Sequence, residues 1–218
     1  MAITKEERTA RAYGLLLRAG LHSLPIPVEA LVRHAAPGVI LASYAAYEAK
    51  TGLNRAAFAA SGMADGLTFR SPQGTRVILY NEEKNEPRRR FTICHEIGHI
   101  VCGHTRHGHA EEAEANDFAA QLLMPDALLR FARDRRQAVT AGFLAGCFGV
   151  SAAAARRKLA TLDGSHVHAL DSAIRLLFQD ALFAYAPQMA TAALTADKFG
   201  SEENHNALLR MENALLEP

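Results

Sequence analysis

The chain has 218 residues, of which 49% are hydrophobic and 22% are charged, and its formal net charge is +1. This length and composition suit one large or two small globular domains, and the balanced charge argues neither for nor against a nucleic-acid partner, because any basic surface would be local. Three cysteines exclude a disulfide framework and suit a reducing compartment, and the lack of a secretory signal or of about 18 consecutive apolar residues predicts a cytoplasmic protein that does not span a membrane.

The N-terminal part of the chain predicts two helices and a strand. Thr4 and Glu7 have the spacing of a capping box, and the helix that they begin is expected to end near Gly20. A second short helix follows Pro27 and ends before a Pro-Gly pair. Residues 39–44 form a compact apolar run that is typical of a strand.

A β-hairpin is predicted after a less regular stretch. Residues 46–64 are rich in Ala, Gly and Ser and predict a loop or a weak helix. The strands of the hairpin are expected at 67–70 and 75–80, with a turn at 71–74. The second strand is a candidate for binding a peptide by pairing along its edge.

The next predicted helix, from Pro87 to Gly103, carries the pattern His95-Glu96-Ile97-Gly98-His99. Histidines four residues apart lie on one face of a helix, about 40° from each other. Both imidazoles can therefore reach one zinc ion at about 2.0–2.1 Å. Glu96 lies beside this face and can reach a metal-bound water. The pentapeptide alone is a weak pattern, since it also occurs by chance on amphipathic helices.

The residues leave the third ligand open. One large class of zinc proteases uses a His six residues after the second ligand, with a Gly between. Thr105 and Cys102 occupy those two positions here and exclude that class, and His104 is one residue out of register. The other solution is a carboxylate from the following helix, predicted at about 111–124. Three carboxylates are available there: Glu111, Glu112 and Glu114.

The combined pattern resembles the ImmA/IrrE family of metallo-endopeptidases. The residues that carry the resemblance are the HEIGH pentapeptide at 95–99, the sequence EANDFAAQLLMP at 114–125 and the preceding Arg90-Phe91-Thr92. The resemblance covers roughly residues 10–160 and implies one zinc ion per chain. The implied zinc ligands are His95, His99 and Glu114, and the implied catalytic carboxylate is Glu96.

The resemblance also implies a fold and a function. The expected fold is α+β, a small gluzincin-like zinc-peptidase domain with a twisted sheet beside the active-site helix. Such a domain is predicted at 1–125, followed by a helix-turn-helix-like helical segment at 126–164 and a helical tail at 165–218. Members of the family are bacterial or phage-borne and typically cleave or inactivate a helix-turn-helix transcriptional repressor. The implied reaction is attack on a peptide bond of such a repressor by a zinc-bound water that Glu96 activates.

A second group besides zinc is needed to stabilise the oxyanion of this reaction. The sequence offers Tyr80, His104 and His107 and does not choose among them. Cys94 and Cys102 flank the expected ligands, and we interpret both as buried packing residues rather than as redox sensors or metal ligands.

Residues 138–162 have the pattern of a helix-turn-helix. Gly149 suits the turn, and Ser151 can cap the second helix. The candidate phosphate contacts on that helix are Arg156, Arg157 and Lys158. Because this basic cluster is small and the helix is rich in Ala, an αα-hairpin that completes the fold or binds a protein is favoured over DNA binding.

Two alternatives to a protease remain open. One is a regulatory module that binds DNA or protein and retains the zinc site without cleaving. The other is a toxin–antitoxin partner whose output is binding. Glu96 discriminates partly between a protease and these alternatives, because a structural zinc is closed by four protein ligands and needs no acid beside them.

Overall fold

The computed structural model describes residues 3–52, 64–105, 108–162 and 167–185. The helices in these ranges are α1 (Lys5–Ala19), α2 (Val28–Ala35), α3 (Tyr44–Thr51), α4 (Glu86–Cys102), α5 (His109–Leu123), α6 (Asp126–Asp134), α7 (Ala141–Phe148), α8 (Ala152–Thr161) and α9 (171–185). The strands are β1 (Ile40–Ser43), β2 (Gly66–Arg70) and β3 (Arg76–Tyr80). This arrangement confirms the predicted α+β fold. None of the described helices is long and apolar enough to cross a bilayer.

The ends of the first helices follow from local sequence. The Thr4 hydroxyl accepts from the backbone N–H of Glu7, while the Thr4 N–H donates to the Glu7 carboxylate, so the predicted capping box is present. Gly20 ends α1 in the left-handed conformation. The first part of the predicted loop or weak helix is α3, which Ser43 caps, whereas residues 53–63 lie outside the described part of the chain.

The three strands form one sheet in the order β1-β3-β2. β3 pairs with β2 in antiparallel register, Gly66 opposite Tyr80, which confirms the hairpin. β3 also pairs in parallel with β1, Ile40 opposite Val77. The prediction that a peptide pairs along residues 75–80 is therefore wrong, because β3 is the central strand and its backbone groups are bonded on both sides. The edge strands of this sheet, among the described residues, are β1 and β2.

The α4 and α5 helices pack closely at Gly98. A Cβ atom on Gly98 would lie 3.1 Å from Cδ1 of Phe118 and 3.2 Å from the Cα of Ala115, which is tighter than an ordinary van der Waals contact. Glycine at this position thus allows the two helix backbones to approach each other. The histidines of α4 and the acidic first turn of α5 face the same site as a result.

The short helices predicted after Pro125 are present and pack into the same core as the peptidase-like part. Buried residues of α7 and α8, among them Phe143, Phe148 and Ala155, belong to one buried cluster with residues of α1 and α4. In the described part of the tail, residues 171–185 are helical and bury Ile174 against this cluster.

A buried arginine joins this segment to α4. The Arg90 guanidinium donates to the carbonyl of Ile26 at 2.8 Å, of Phe148 at 3.3 Å and of Gly149 at 3.1 Å. The last two carbonyls end α7, where a cation is favoured by the helix dipole. Arg90 therefore ties the end of α7 to the start of the helix that carries His95.

Candidate metal centre

The two histidines of α4 converge as their spacing predicts. Asn85 caps the helix through the N–H of Arg88, Pro87 lies in its first turn, and Gly103 ends it in the left-handed conformation. The Nε2 atoms of His95 and His99 lie 2.9 Å apart. Both ring nitrogens thus face one point beside the helix.

Glu112, in the first turn of α5, supplies the third converging group. Its Oε2 lies 3.2 Å from Nε2 of His95, and its Oε1 lies 3.4 Å from Nε2 of His99. Two ligands that are each about 2.05 Å from an ion at a tetrahedral angle lie about 3.3 Å apart. The separations of 2.9, 3.2 and 3.4 Å lie within about 0.4 Å of this value, and two imidazoles with one carboxylate are a donor set that zinc prefers. The residues therefore fit a catalytic zinc site.

The converging carboxylate is Glu112 rather than Glu114, the expected third ligand. Residues two apart in a helix lie about 200° from each other, so both cannot face the same ion. The buried Oε2 of Glu114 instead lies 3.1 Å from Nε2 of His104, whose Nδ1 lies 3.0 Å from Nδ1 of His99. Glu111 is not part of the converging group.

The outer nitrogens of both imidazoles are engaged. Nδ1 of His95 lies 3.0 Å from Oδ1 of Asn116, an acceptor, so that Nδ1 carries the proton and Nε2 keeps its lone pair for a metal. Nδ1 of His99 contacts Nδ1 of His104, whose Nε2 in turn contacts the Glu114 carboxylate. Burial lowers the pKa of His95, which favours the neutral, metal-binding form. Sequence reasoning missed Asn116, although it lies one turn after Glu112 on the same face of α5.

These groups open into a cleft of about 700 Å³. Residues 66–69 of β2 form one wall, and Glu96, only 6% exposed, lies on the same surface as His95 and His99. The cleft also contains an ion pair between Arg88 and Asp65, which no sequence pattern indicated. Glu96, the converging side chains of His95, His99 and Glu112, and β2 thus share one open site.

The three residues predicted as oxyanion-stabilising groups differ in their position relative to the cleft. Tyr80 is not among the described residues that line the cleft. His104 is buried between His99 and Glu114 and is also absent from the described lining. His107 lies outside the described residues. The imidazole of His104 therefore supports His99 and does not face the cleft.

The cysteines are packing residues, as the sequence indicates. Cys94 and Cys102 are buried and form no disulfide. Burial raises the pKa of the Cys94 thiol and raises that of Cys102 to about 11. Both thiols stay protonated near neutral pH, a state that binds metal and reacts with oxidants poorly.

The basic cluster of α8 does not form one surface. Arg156 and Arg157 are exposed, but Lys158 is only 5% exposed, and its Nζ lies 2.7 Å from Oδ1 of Asp126. The prediction that Lys158 contacts phosphates is therefore wrong, because its charge is buried and paired inside the fold. Arg157 lines the cleft of the candidate metal site.

Comparison with known families agrees with this geometry. Residues 56–160 match the family model Peptidase_M78, described as an IrrE N-terminal-like domain. This range includes α4 and α5 with all the converging residues, together with α6, α7 and all of α8 except its last residue. A search of curated proteins gave no significant match. The chain therefore contains an IrrE N-terminal-like domain of the Peptidase_M78 family, which confirms the resemblance to ImmA/IrrE metallo-endopeptidases.

Proposed function

We propose that this chain is a zinc-dependent endopeptidase whose metal is held by His95, His99 and Glu112. The observation that carries the proposal is the convergence of these three side chains at tetrahedral ligand spacing, with Glu96 beside them in an open cleft. The family match supports a metallopeptidase-type function. A structural zinc would be closed by a fourth protein ligand, and the described residues place only three at this point.

When bound, zinc supplies Lewis acidity that lowers the pKa of water toward 7 and polarises the peptide carbonyl. Glu96 is the group placed to accept the proton of the attacking water, because it follows His95 directly and lines the cleft. It then delivers this proton to the leaving amine, so that a carboxyl and an amino terminus are formed. Asn116 and the His104–Glu114 pair hold the two imidazoles in orientation.

The β2 strand is the part of the chain suited to bind the substrate backbone. It lies at the edge of the sheet, and its residues 66–69 line the cleft. An extended peptide can add to such an edge through main-chain hydrogen bonds. Gly66 brings β2 against α4, because a Cβ atom there would overlap the methyl group of Thr92. The peptide would then lie beside the face of α4 that carries His95 and Glu96.

The substrate that we propose is a helix-turn-helix transcriptional repressor. This proposal rests on the resemblance to ImmA/IrrE proteins and on an open cleft that admits an extended segment of another protein. An edge strand selects extended chain, so we expect the cleaved bond to lie in a linker or loop of the repressor rather than within its DNA-binding helices.

The test compares two glutamate variants of α4 on purified repressors that are encoded near the gene. Glu96→Gln keeps the shape of the side chain and removes the base, so cleavage is expected to fall by about 10²–10⁴-fold. Its zinc content should stay at one per chain. Glu86→Gln, at the exposed start of the same helix, is the matched control and should cleave normally. Intact-mass spectrometry of the products gives the readout and the cleaved bond.

Two results would redirect the assignment. Equal cleavage by Glu96→Gln would refute the role of Glu96. Zinc binding together with repressor binding, but without cleavage by the unaltered chain, would favour a non-cleaving regulator or a toxin–antitoxin partner.

A further inference from the structure

A second cavity, of about 300 Å³, adjoins the cleft of the metal site. It lies between α1, α5 and α8 and shares Phe91, Asn116 and Arg157 with the cleft. Asn116 contacts His95, so the boundary between the two cavities lies one side chain from the expected ligands. We call this second cavity the α8 cavity. The two cavities therefore border each other at these three shared residues.

The charges around the α8 cavity do not cancel. Two cations are neutralised within the fold: Arg8 pairs with Asp117 at 3.1 Å, and the buried Lys158 pairs with Asp126 at 2.7 Å. The lining also contains Lys5 and Arg157, both exposed, and no carboxylate in the described part of the chain forms an ion pair with either. The cavity therefore carries two positive charges in excess of its carboxylates.

Apart from the neutral polar residues Thr9, Asn116, Gln121 and Thr161, the remaining wall is apolar. Phe91, Ala120, Met124 and Ala154 line the interior. A ligand that suits this surface has a hydrocarbon stem and a negatively charged end, which matches a glutamate or aspartate side chain. A basic side chain would meet two like charges and be disfavoured.

We propose that the α8 cavity is a substrate subsite that takes an acidic side chain, with Arg157 as a specificity-determining residue. The inference rests on the proposed peptidase function, since the cavity serves as a subsite only when a peptide occupies the adjoining cleft. It also gives the helix-turn-helix-like segment a role: α8 forms a wall of the substrate site. A nucleic-acid backbone is the less suitable occupant, because Lys158 is buried within the fold and the interior is largely apolar.

The test uses peptide hydroxamates, whose hydroxamate group binds catalytic zinc directly. The probes are tetra-alanine hydroxamates in which one residue at a time is replaced by Glu, Gln or Lys. Their affinities for the zinc-loaded full chain are measured by titration calorimetry. At one position we expect Glu to bind about fivefold more tightly than Gln at low salt, the upper range for an ion pair that water can reach. This preference should shrink to less than about twofold in 0.5 M salt.

Variants of two neighbouring arginines identify the residue responsible. Arg157→Glu should abolish the preference for the Glu probe. Arg156→Glu makes the same change one residue earlier on α8, at an exposed side chain outside both cavities, and should retain the preference. Circular dichroism confirms that both variants are folded.

Each outcome decides the inference. Equal binding of Glu and Gln probes at every position, with the all-Ala probe still bound, overturns the subsite and leaves the peptidase assignment standing. Failure of the all-Ala probe to bind zinc-loaded protein refutes both. A preference that survives Arg157→Glu removes Arg157 from the role. If both arginine variants bound random duplex DNA equally more weakly, and no probe was preferred, α8 would be assigned to nucleic-acid binding instead.

Discussion

Replacing single glutamates in the first turns of α5 tests which of them is the proposed zinc ligand and which supports a ligand. Glu112 contacts both imidazoles directly, at 3.2 and 3.4 Å. Glu114 reaches His99 only through His104, over two contacts of 3.1 and 3.0 Å. We therefore expect Glu112→Ala to weaken zinc binding more than Glu114→Ala.

The size of each effect follows from whether the carboxylate binds the metal or supports a ligand. Structural zinc sites with four ligands bind with about 10–16 kcal/mol, or about 2.5–4 kcal/mol per ligand. Loss of Glu112 should then weaken zinc binding by about 10²–10³-fold. Loss of an outer partner of a ligating His typically costs about 10–100-fold, which is the range expected for Glu114→Ala.

The assay is competition with a chromophoric zinc chelator at fixed pH. Glu111→Ala is the matched control, because Glu111 belongs to the same helical turn but not to the converging group. Its zinc affinity should be unchanged within about twofold. A larger loss for Glu114→Ala than for Glu112→Ala would refute the assignment and restore Glu114 as the third ligand.

Three further changes test the framework around the site. Arg90→Met removes the donor to three carbonyls and should cost about 3 kcal/mol in urea denaturation, whereas a loss below about 1 kcal/mol would contradict the anchoring role. Gly66→Ala places a Cβ 2.7 Å from the carbonyl oxygen of Leu79, so it should lower the free energy of unfolding by about 1–3 kcal/mol and weaken peptide binding. Unchanged stability and binding would show that β2 need not lie so close to α4. Burial raises the pKa of Cys102 to about 11 and that of Cys147 to about 12, so the thiol contribution to stability is complete below pH 9 and is lost as the pH rises toward these values. Thiolate absorbance at 240 nm should rise near pH 9 only in the unfolded chain, and the same rise in the native chain would contradict the burial.

Sequence reasoning located the parts of the site that depend on a single helix. The four-residue spacing of His95 and His99 fixes their shared face, and local capping residues fix the ends of α4. The rotation of α5 against α4 depends instead on contacts between helices, such as those at Gly98. Glu114 is indeed buried, as expected of a ligand, but its burial is against His104. The sequence therefore indicated that Glu114 is buried, but not that it packs against His104.

Long-range pairing explains the other differences. The hairpin was predictable from its own residues, but β1 lies well before it in the chain and decides that β3 is central. Likewise, Lys158 resembles a surface cation within its own helix. Its partner Asp126 belongs to α6, and no local pattern connects them.

The Arg90 anchor makes the metal centre and the helix-turn-helix-like segment thermodynamically linked. A macromolecule that bound α7 and α8 by drawing them away from α4 would first break the hydrogen bonds of Arg90, at a cost of several kcal/mol. It would also remove the wall that Arg157 contributes to the cleft. Because linkage is reciprocal, a peptide that binds the cleft only while α8 lies against it would weaken the binding of such a macromolecule by the same factor. Binding of a peptide in the cleft and binding of a macromolecule to α7 and α8 would then compete with each other.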